Sequence, residues 1–192
     1  MNYNKAMKKQ NKSYRRYMLF LSFISLLLPF VLIIFKIYNS FFILYLVVIE
    51  IIIVITLILF TNINRLSLSK NNNKIRITQG IFGEKYYISA DKVVLVHVEN
   101  GEEINIVLVC TSRFRNKKIK KVDNDFLKRH GYISHMYTMI KSNNPEENYY
   151  YLIIKNGGLK KYKVLDMIYT SCVYAKYTEE AIDKIKVYRD SE

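Results

Sequence analysis

The chain has 192 residues, enough for one soluble domain of ordinary size plus a membrane segment and hardly for two soluble domains. Its 30 Lys and Arg against 16 Asp and Glu leave a formal charge of +14, although the joint abundance of Lys, Asn, Ile and Tyr matches the bias of an AT-rich genome and discounts part of that excess. Cys110 and Cys172 are too few for a disulfide framework and read as small buried or semi-buried hydrophobes in a reducing compartment.

Two apolar runs dominate the N-terminal third. Met18 to Phe35 is eighteen residues without a charge, broken only by Ser22, Ser25 and Pro29, and Phe41 to Phe60 is twenty residues with one charge, Glu50. Each is long enough to cross about 30 Å of hydrocarbon at about 1.5 Å per helical residue. The first run exceeds a signal-peptide core of about 7 to 15 residues and has no small-x-small cleavage site, so it reads as a retained helix. The link Lys36 to Ser40 is so short that the helices, at about residues 17–37 and 41–60, must be antiparallel neighbours, and Tyr38 suits the headgroup layer. Lys5, Lys8, Lys9, Lys12, Arg15 and Arg16 precede this hairpin of residues 18–60, Arg65, Lys70, Lys74 and Arg76 follow it, and the turn holds only Lys36. Positive-inside bias then predicts a multi-pass cell-membrane protein with both termini cytoplasmic and residues 1–17 as a basic N-terminus.

Glu50 is the only acid in either span, and an ionisable group at mid-bilayer is costly unless neutralised or paired. It lies about ten residues from each end of its run, roughly 14 Å deep. Pro29 on the first helix falls at similar depth and frees the carbonyl of Ser25 from its intrahelical bond. A protonated Glu50 could donate to that carbonyl or to the Ser25 hydroxyl and lock the hairpin. The alternative is a proton or ion path, which two helices cannot enclose and which needs several hairpins or a larger partner.

Thr61 to Asn73, with its Asn-Asn-Asn tract, lacks a sustained apolar period and reads as a linker over residues 61–73. From Lys74 the dominant period is two. Strands are expected over Lys74 to Thr78, Lys85 to Ser89, Val93 to Val98 and, after the turn Asn100-Gly101, Ile104 to Thr111. Tyr149 to Ile154 reads as another strand, Asn156-Gly157-Gly158 as a turn, Leu159 to Leu165 as its partner strand, and Ile168 to Tyr174 as a further candidate. Thr178 is placed to cap a closing helix whose first turn carries Glu179 and Glu180 and whose apolar stripe is Ala181, Ile182, Ile185 and Tyr188. The class is α+β: two transmembrane helices, then a cytoplasmic antiparallel β domain over residues 74–192 with a C-terminal helix.

Lys74-Ile75-Arg76-Ile77-Thr78-Gln79-Gly80-Ile81-Phe82-Gly83, followed by Tyr87-Ile88-Ser89-Ala90-Asp91-Lys92-Val93, resembles the opening hairpin of the bacterial pleckstrin-homology-like domains, which commonly follow one or two membrane helices. Ser89 stands where that family usually has Pro, and a basic insertion, residues 113–147, interrupts the strands. The resemblance implies a bent, partly open barrel plugged at one end by the C-terminal helix, and it implies no enzymatic role.

The insertion opens with Arg113, Arg115, Lys117, Lys118, Lys120 and Lys121, six cations in nine residues, and continues with a short helix from Asn124 to His130 capped by Asp123 and ended by Gly131. A solvated loop is one reading. The functional one is contact with membrane lipid, since a tethered loop stays near anionic headgroups and each cation there contributes about 1 kcal/mol. Nucleic acid is disfavoured, because only Phe114 is interleaved and no recognition helix is present. No catalytic, metal or cofactor constellation is found: His97 lies in a strand pattern, and His130 and His135 are spaced wrongly for two ligands on one helical face. The expected function is a non-enzymatic membrane-anchored binding or assembly module whose partner is a membrane protein or a second copy. The other reading, by family analogy, is a small protective or transport-associated protein such as a bacteriocin self-immunity or export accessory factor.

Overall fold

The apolar hairpin forms, and it is longer than its apolar runs. The computed structural model describes residues 3–36, 39–81, 84–101, 103–114, 116 and 118–191, with Glu84 as backbone only. Ile37, Tyr38, Phe82, Gly83, Arg115 and Lys117, invoked above for the first helix end, the headgroup contact, the Gly-Ile-Phe-Gly segment and the basic cluster, lie outside the described residues. Helix α1 is Tyr3–Ile34 and α2 is Ser40–Asn64. At 32 residues α1 is about 48 Å long, so its basic first half continues as helix beyond the apolar run. Lys5 to Gln10 are good helix formers, and no Gly or Pro intervenes before Pro29. Lys36 takes a left-handed φ of 51° between the helices, and Asn39 caps α2 by accepting from the Phe41 N–H at 3.2 Å.

The sequence predicts a linker over residues 61–73, and here the chain differs. Helix α2 runs on to Asn64, and strand β1, Leu66–Asn71, follows at once and pairs antiparallel with β2, Lys74–Gln79. The Asn tract is the hairpin turn between them: Asn71 pairs with Lys74, and Asn72 has φ 51°, a conformation that Asn tolerates well. Strand β3, Glu84–Ser89, completes a three-stranded sheet in the order β1-β2-β3.

A second sheet takes the rest. Strands β4, Val93–Glu99, and β5, Asn105–Cys110, pair antiparallel across the Asn100-Gly101 turn, with Glu99 opposite Asn105. The edge on one side comes from β6, Lys120–Lys121, and β7, Tyr150–Ile154, and on the other from β8, Lys176–Tyr177, which runs parallel to β4. The order is β6-β7-β5-β4-β8. Between β6 and β7 lie α3, Asn124–Arg129, and α4, Gly131–Asn143. Asp123 caps α3 by accepting from the Phe126 N–H at 2.8 Å.

The segment expected to return as strands, Leu159 to Leu165 and then Ile168 to Tyr174, instead forms helix α5, Lys160–Ser171, and its closing turn. Its buried positions are Lys161, Val164, Leu165 and Ile168, spaced 3, 1 and 3, which is the period of a helix face and not of a strand. Helix α6, Glu179–Arg189, begins where Thr178 accepts from the Ala181 N–H at 3.4 Å and buries Ala181, Ile185 and Tyr188.

Strands β4 and β5 are buried on both faces, which explains their nearly unbroken apolar sequences. On one face, Val96, Val98, Ile106 and Leu108 meet Ile75, Ile77 and Ile88 of the small sheet together with Val164, Leu165, Ile168, Ala181 and Ile185 of α5 and α6. On the other, Leu95, Val107 and Val109 meet Phe126, Ile133, Ile140 and Tyr149 around α3 and α4. The result is α+β, with a mixed sheet covered on both sides.

Two glycines let α2 seat against this domain. Gly80, at φ 76°, and Gly157, at φ 114°, would carry a Cβ into the side chains of Asn62 and Leu66 respectively. Gly157→Ala should therefore cost about 2 kcal/mol of backbone strain and overlap, lowering the melting temperature of the detergent-solubilised chain by roughly 4 to 8 °C. Gly101, where an added Cβ would meet only the Glu103 carbonyl at an ordinary contact distance of 3.5 Å and φ is not positive, is the control, and equal melting of Gly101→Ala and Gly157→Ala would refute this account.

Candidate functional site

Among the described residues no backbone hydrogen bond joins α1 to α2, so side chains make the link. The Ser25 hydroxyl donates to Glu50 Oε2 at 2.6 Å. Pro29, inside α1 and one turn further on, has no N–H to offer the Ser25 carbonyl. The other carboxyl oxygen, Glu50 Oε1, is buried and has no hydrogen-bond partner among the described residues. Beside it lies a shallow groove lined by Leu46, Val47, Ile51, Val54 and Ile55. The pair can bind the two helices to each other.

Where the hairpin meets the domain, polar bonds join the two. The last carbonyls of a helix have no intrahelical partner, and α2 ends where they must be satisfied by something else. The turn after β7 supplies it: Gly157 N–H donates to the Ile63 carbonyl at 2.9 Å, Lys160 Nζ to the Asn64 carbonyl at 3.3 Å, and Asn156 Nδ2 to the Asn62 carbonyl at 3.5 Å. Asn62 Oδ1 accepts from the Ile81 N–H at 2.9 Å, and the Arg65 carbonyl accepts from Gly80 at 2.8 Å. The same turn is held from α1, where Gln10 Oε1 accepts from the Leu159 N–H and the Tyr3 hydroxyl donates to the Leu159 carbonyl, both at 3.1 Å. Tyr3 is buried edge-on against Tyr162 and Tyr188. The basic N-terminal segment is therefore a clamp on α5 and α6 through Tyr3 and Gln10, a role that its run of cations does not announce.

The basic segment is pinned, with its four described cations outward. Ile119 is buried, Phe114 packs on the core at φ 49°, and Asn116 Nδ2 donates to the Lys85 carbonyl at 3.0 Å. Lys85 pairs with Thr78, and Thr78 with Ser67 just beyond α2, so this segment sits beside the strand ends that receive the hairpin. Arg113, Lys118, Lys120 and Lys121 are exposed. Lys120 and Lys121 form β6 itself, and lysines on an edge strand also discourage pairing with another chain.

A polar cluster missed by the sequence reading joins β4 to α4 and α6. His97 is buried, with Nδ1 3.1 Å from the Thr178 hydroxyl and 3.8 Å from Glu180 Oε2, and its ring stacks on Tyr132. His130 Nδ1 contacts Glu99 Oε1 at the next outward position. Burial pulls the His97 pKa below 6.5, helped by His130 and opposed by Glu180 and Glu99. The available signal was the pair of carboxylates two residues after a strand histidine and two after a helix cap. Cys110 and Cys172 are both buried and free, and burial pushes both thiols up, Cys172 to about 11. Among the described residues no group of three His, Cys, Asp or Glu side chains is placed to hold a metal ion.

No family model matches the chain, and no curated protein or solved structure matches it.

The hairpin bond predicts a coupling between Ser25 and Glu50 of about 0.6 kcal/mol, the usual size for such a bond in lipid, in a double-mutant cycle of Ser25→Ala and Glu50→Leu on unfolding in bilayer-mimicking detergent. Glu50→Gln should retain it, and additivity of the two substitutions would sink the link. The His97 pKa predicts a pH response of definite sign. The unfolded chain takes up the proton first as pH falls below 6.5, so stability conferred by neutral His97 is complete above that value and is lost as pH falls toward the lowered folded value. The melting temperature should decline from pH 7.5 to 5.5, and His97→Gln should flatten that decline; an unchanged slope in the variant would show that other groups carry it.

Proposed function

We propose that the chain is a non-enzymatic, membrane-anchored binding or assembly module, whose hairpin spans the bilayer with both ends cytoplasmic and presents the α+β domain in one fixed pose. The observation that carries this reading is the convergence of both helices on one turn: Tyr3 and Gln10 of α1 and Ile63 and Asn64 of α2 all bond to residues 157–160. A domain that needed only a tether could hang from a flexible linker, and ordering the junction costs conformational entropy at every fixed residue. A fixed pose has a use when the domain must meet another membrane-bound surface at a set height and angle.

Three further features support it. Helices α1 and α2 have an apolar window of mean hydropathy 2.6 and 3.1 with almost nothing buried, as helices facing lipid would. Cations flank the hairpin on both sides and are sparse in its turn, which orients both ends inward. Val173 and Tyr174, in the turn between α5 and β8, are held 75% and 86% exposed, and a protruding aromatic is a good anchor for a partner. The pleckstrin-like part of the reading rests on the Lys74–Ser89 hairpin and the closing helix, and the proposed function does not depend on it.

Topology and association test this together. A cysteine introduced at Asn39 should be labelled from outside intact cells, and one at Ser69 only after permeabilisation. The intact chain purified in mild detergent should run as a homo-oligomer or carry a stoichiometric membrane protein, and Tyr174→Ser should weaken that association. External labelling at Ser69, or a strictly monomeric chain that carries nothing, would overturn the proposal.

A further inference from the structure

A polar cleft of about 280 Å3 opens at the junction, between α1 and the end of α2, lined by Gln10, Asn11, Tyr14, Asn64, Arg65 and Lys160. Its size lies just below the range of small-molecule pockets, about 300 Å3 and upward, and so suits a headgroup better than a larger ligand. No acidic residue lines it. Lys160 spends one donor on the Asn64 carbonyl and keeps two, and the exposed Arg65 guanidinium has no hydrogen bond or ion pair among the described residues. Asn11 adds a further amide, and Tyr14 closes one side through its hydroxyl, which donates to Thr61 at 3.2 Å, and its ring, stacked on Phe60. Two cations with unspent donors, framed by amides and free of carboxylates, make a site for a phosphate, which Arg grips through its planar fork and Lys as a point charge.

Depth identifies the source of that phosphate. The apolar run of α2 ends at Phe60, and Arg65 follows five residues later, roughly 7 Å further along the chain's path. The headgroup layer on each side of a bilayer is of that thickness, about 5 to 8 Å. Tyr14 and Tyr17, both against Phe60, lie at the same level, where aromatic side chains with one polar end are favoured. At that height a lipid phosphate is present at high local concentration, and a soluble phosphate compound would have to compete with it.

We propose that this cleft binds the headgroup phosphate of an anionic phospholipid, with Arg65 and Lys160 as its ligands. The inference rests on the reading that the hairpin spans a membrane. It differs from a diffuse attraction of Arg113, Lys118, Lys120 and Lys121 to the surface, because it is a single site with stoichiometry. A lipid held there would touch α1, α2 and the first turn of α5 together and so strengthen the junction.

The test uses the full chain in mild detergent with added phosphatidylglycerol or phosphatidylcholine, read by native mass spectrometry. The wild type should retain one phosphatidylglycerol in preference to phosphatidylcholine. Arg65→Gln with Lys160→Gln should weaken retention about thirtyfold, and Arg65→Gln alone about fivefold, from two cations and one. The single variant leaves the Lys160 bond to α2 in place, so its loss is not a folding defect, and Arg65→Lys with Lys160→Arg should keep the lipid. Gln at Arg113, Lys118, Lys120 and Lys121 should leave the stoichiometric lipid bound. Retention unchanged in both Arg65→Gln and the double variant would overturn the proposal. So would displacement of the lipid by millimolar inorganic phosphate, which would assign the cleft to a soluble anion. A chain washed from membranes by alkali would instead refute the anchoring itself, which separates that failure from this one.

Discussion

The end of α2 sets the terms for the rest of the molecule. The end of a helix carries carbonyls with no intrahelical partner, and where a folded domain crowds that end the donors must come from the domain. Ile63 and Asn64 take their donors from Gly157 and Lys160, more than ninety residues later in the chain. That long-range cap holds β7 and α5 against the end of α2. It also requires a residue without a Cβ at 157, since Leu66, the first residue of β1, occupies the space that a side chain would need. One local need, the satisfaction of a helix terminus, thereby fixes which end of the domain faces the hairpin.

The domain is built to keep that end stiff. Helix α5 starts at the capping turn and is tied down by a fully buried lysine, Lys161, whose Nζ reaches Glu103 Oε2 at 2.9 Å and the Lys155 carbonyl at 2.8 Å. A charge this deep is tolerated only with such partners, and they bind α5 to both the β4–β5 connection and the end of β7. Helix α6 then packs on α5, and Tyr3 of α1 inserts its ring beside Tyr162 of α5 and Tyr188 of α6. Both long helices are thus joined to the domain through packed aromatic rings and hydrogen bonds instead of a loose strap. Arg65 and Lys160 sit on the same structural path, so a phosphate bound there would bridge its two sides.

Much of this was legible one segment at a time. The apolar runs, the short turn between them, the Asn100-Gly101 hairpin, the cap at Asp123 and the cap at Thr178 are local signals, each written within a few residues. Helix α4 lies inside the basic insertion, where Ile133, Met136, Tyr137 and Ile140 stand at helical spacing among polar residues. The Asn tract was misread because Asn serves linkers and tight turns equally, and only the pairing of Asn71 with Lys74 chooses between them. Leu159 to Leu165 was misread because an apolar stretch after a Gly-Gly turn suits a returning strand. Its true partners, β1 and α6, could be known only once the chain had folded back.

The sequence by itself determined that two segments prefer hydrocarbon to water, that a β-rich α+β domain follows them, and where its main turns and caps lie, because transfer free energy, periodicity and capping depend on neighbouring residues alone. The tertiary structure decided the pairing of Ser25 with Glu50, the burial of His97 beside Glu180, the clamp made by Tyr3 and Gln10, and the meeting of Arg65 with Lys160. Each of those joins residues from 25 to 156 positions apart. Contacts at such separations are selected by which surfaces of the whole fold can be covered at once, and no local preference of the chain encodes that choice.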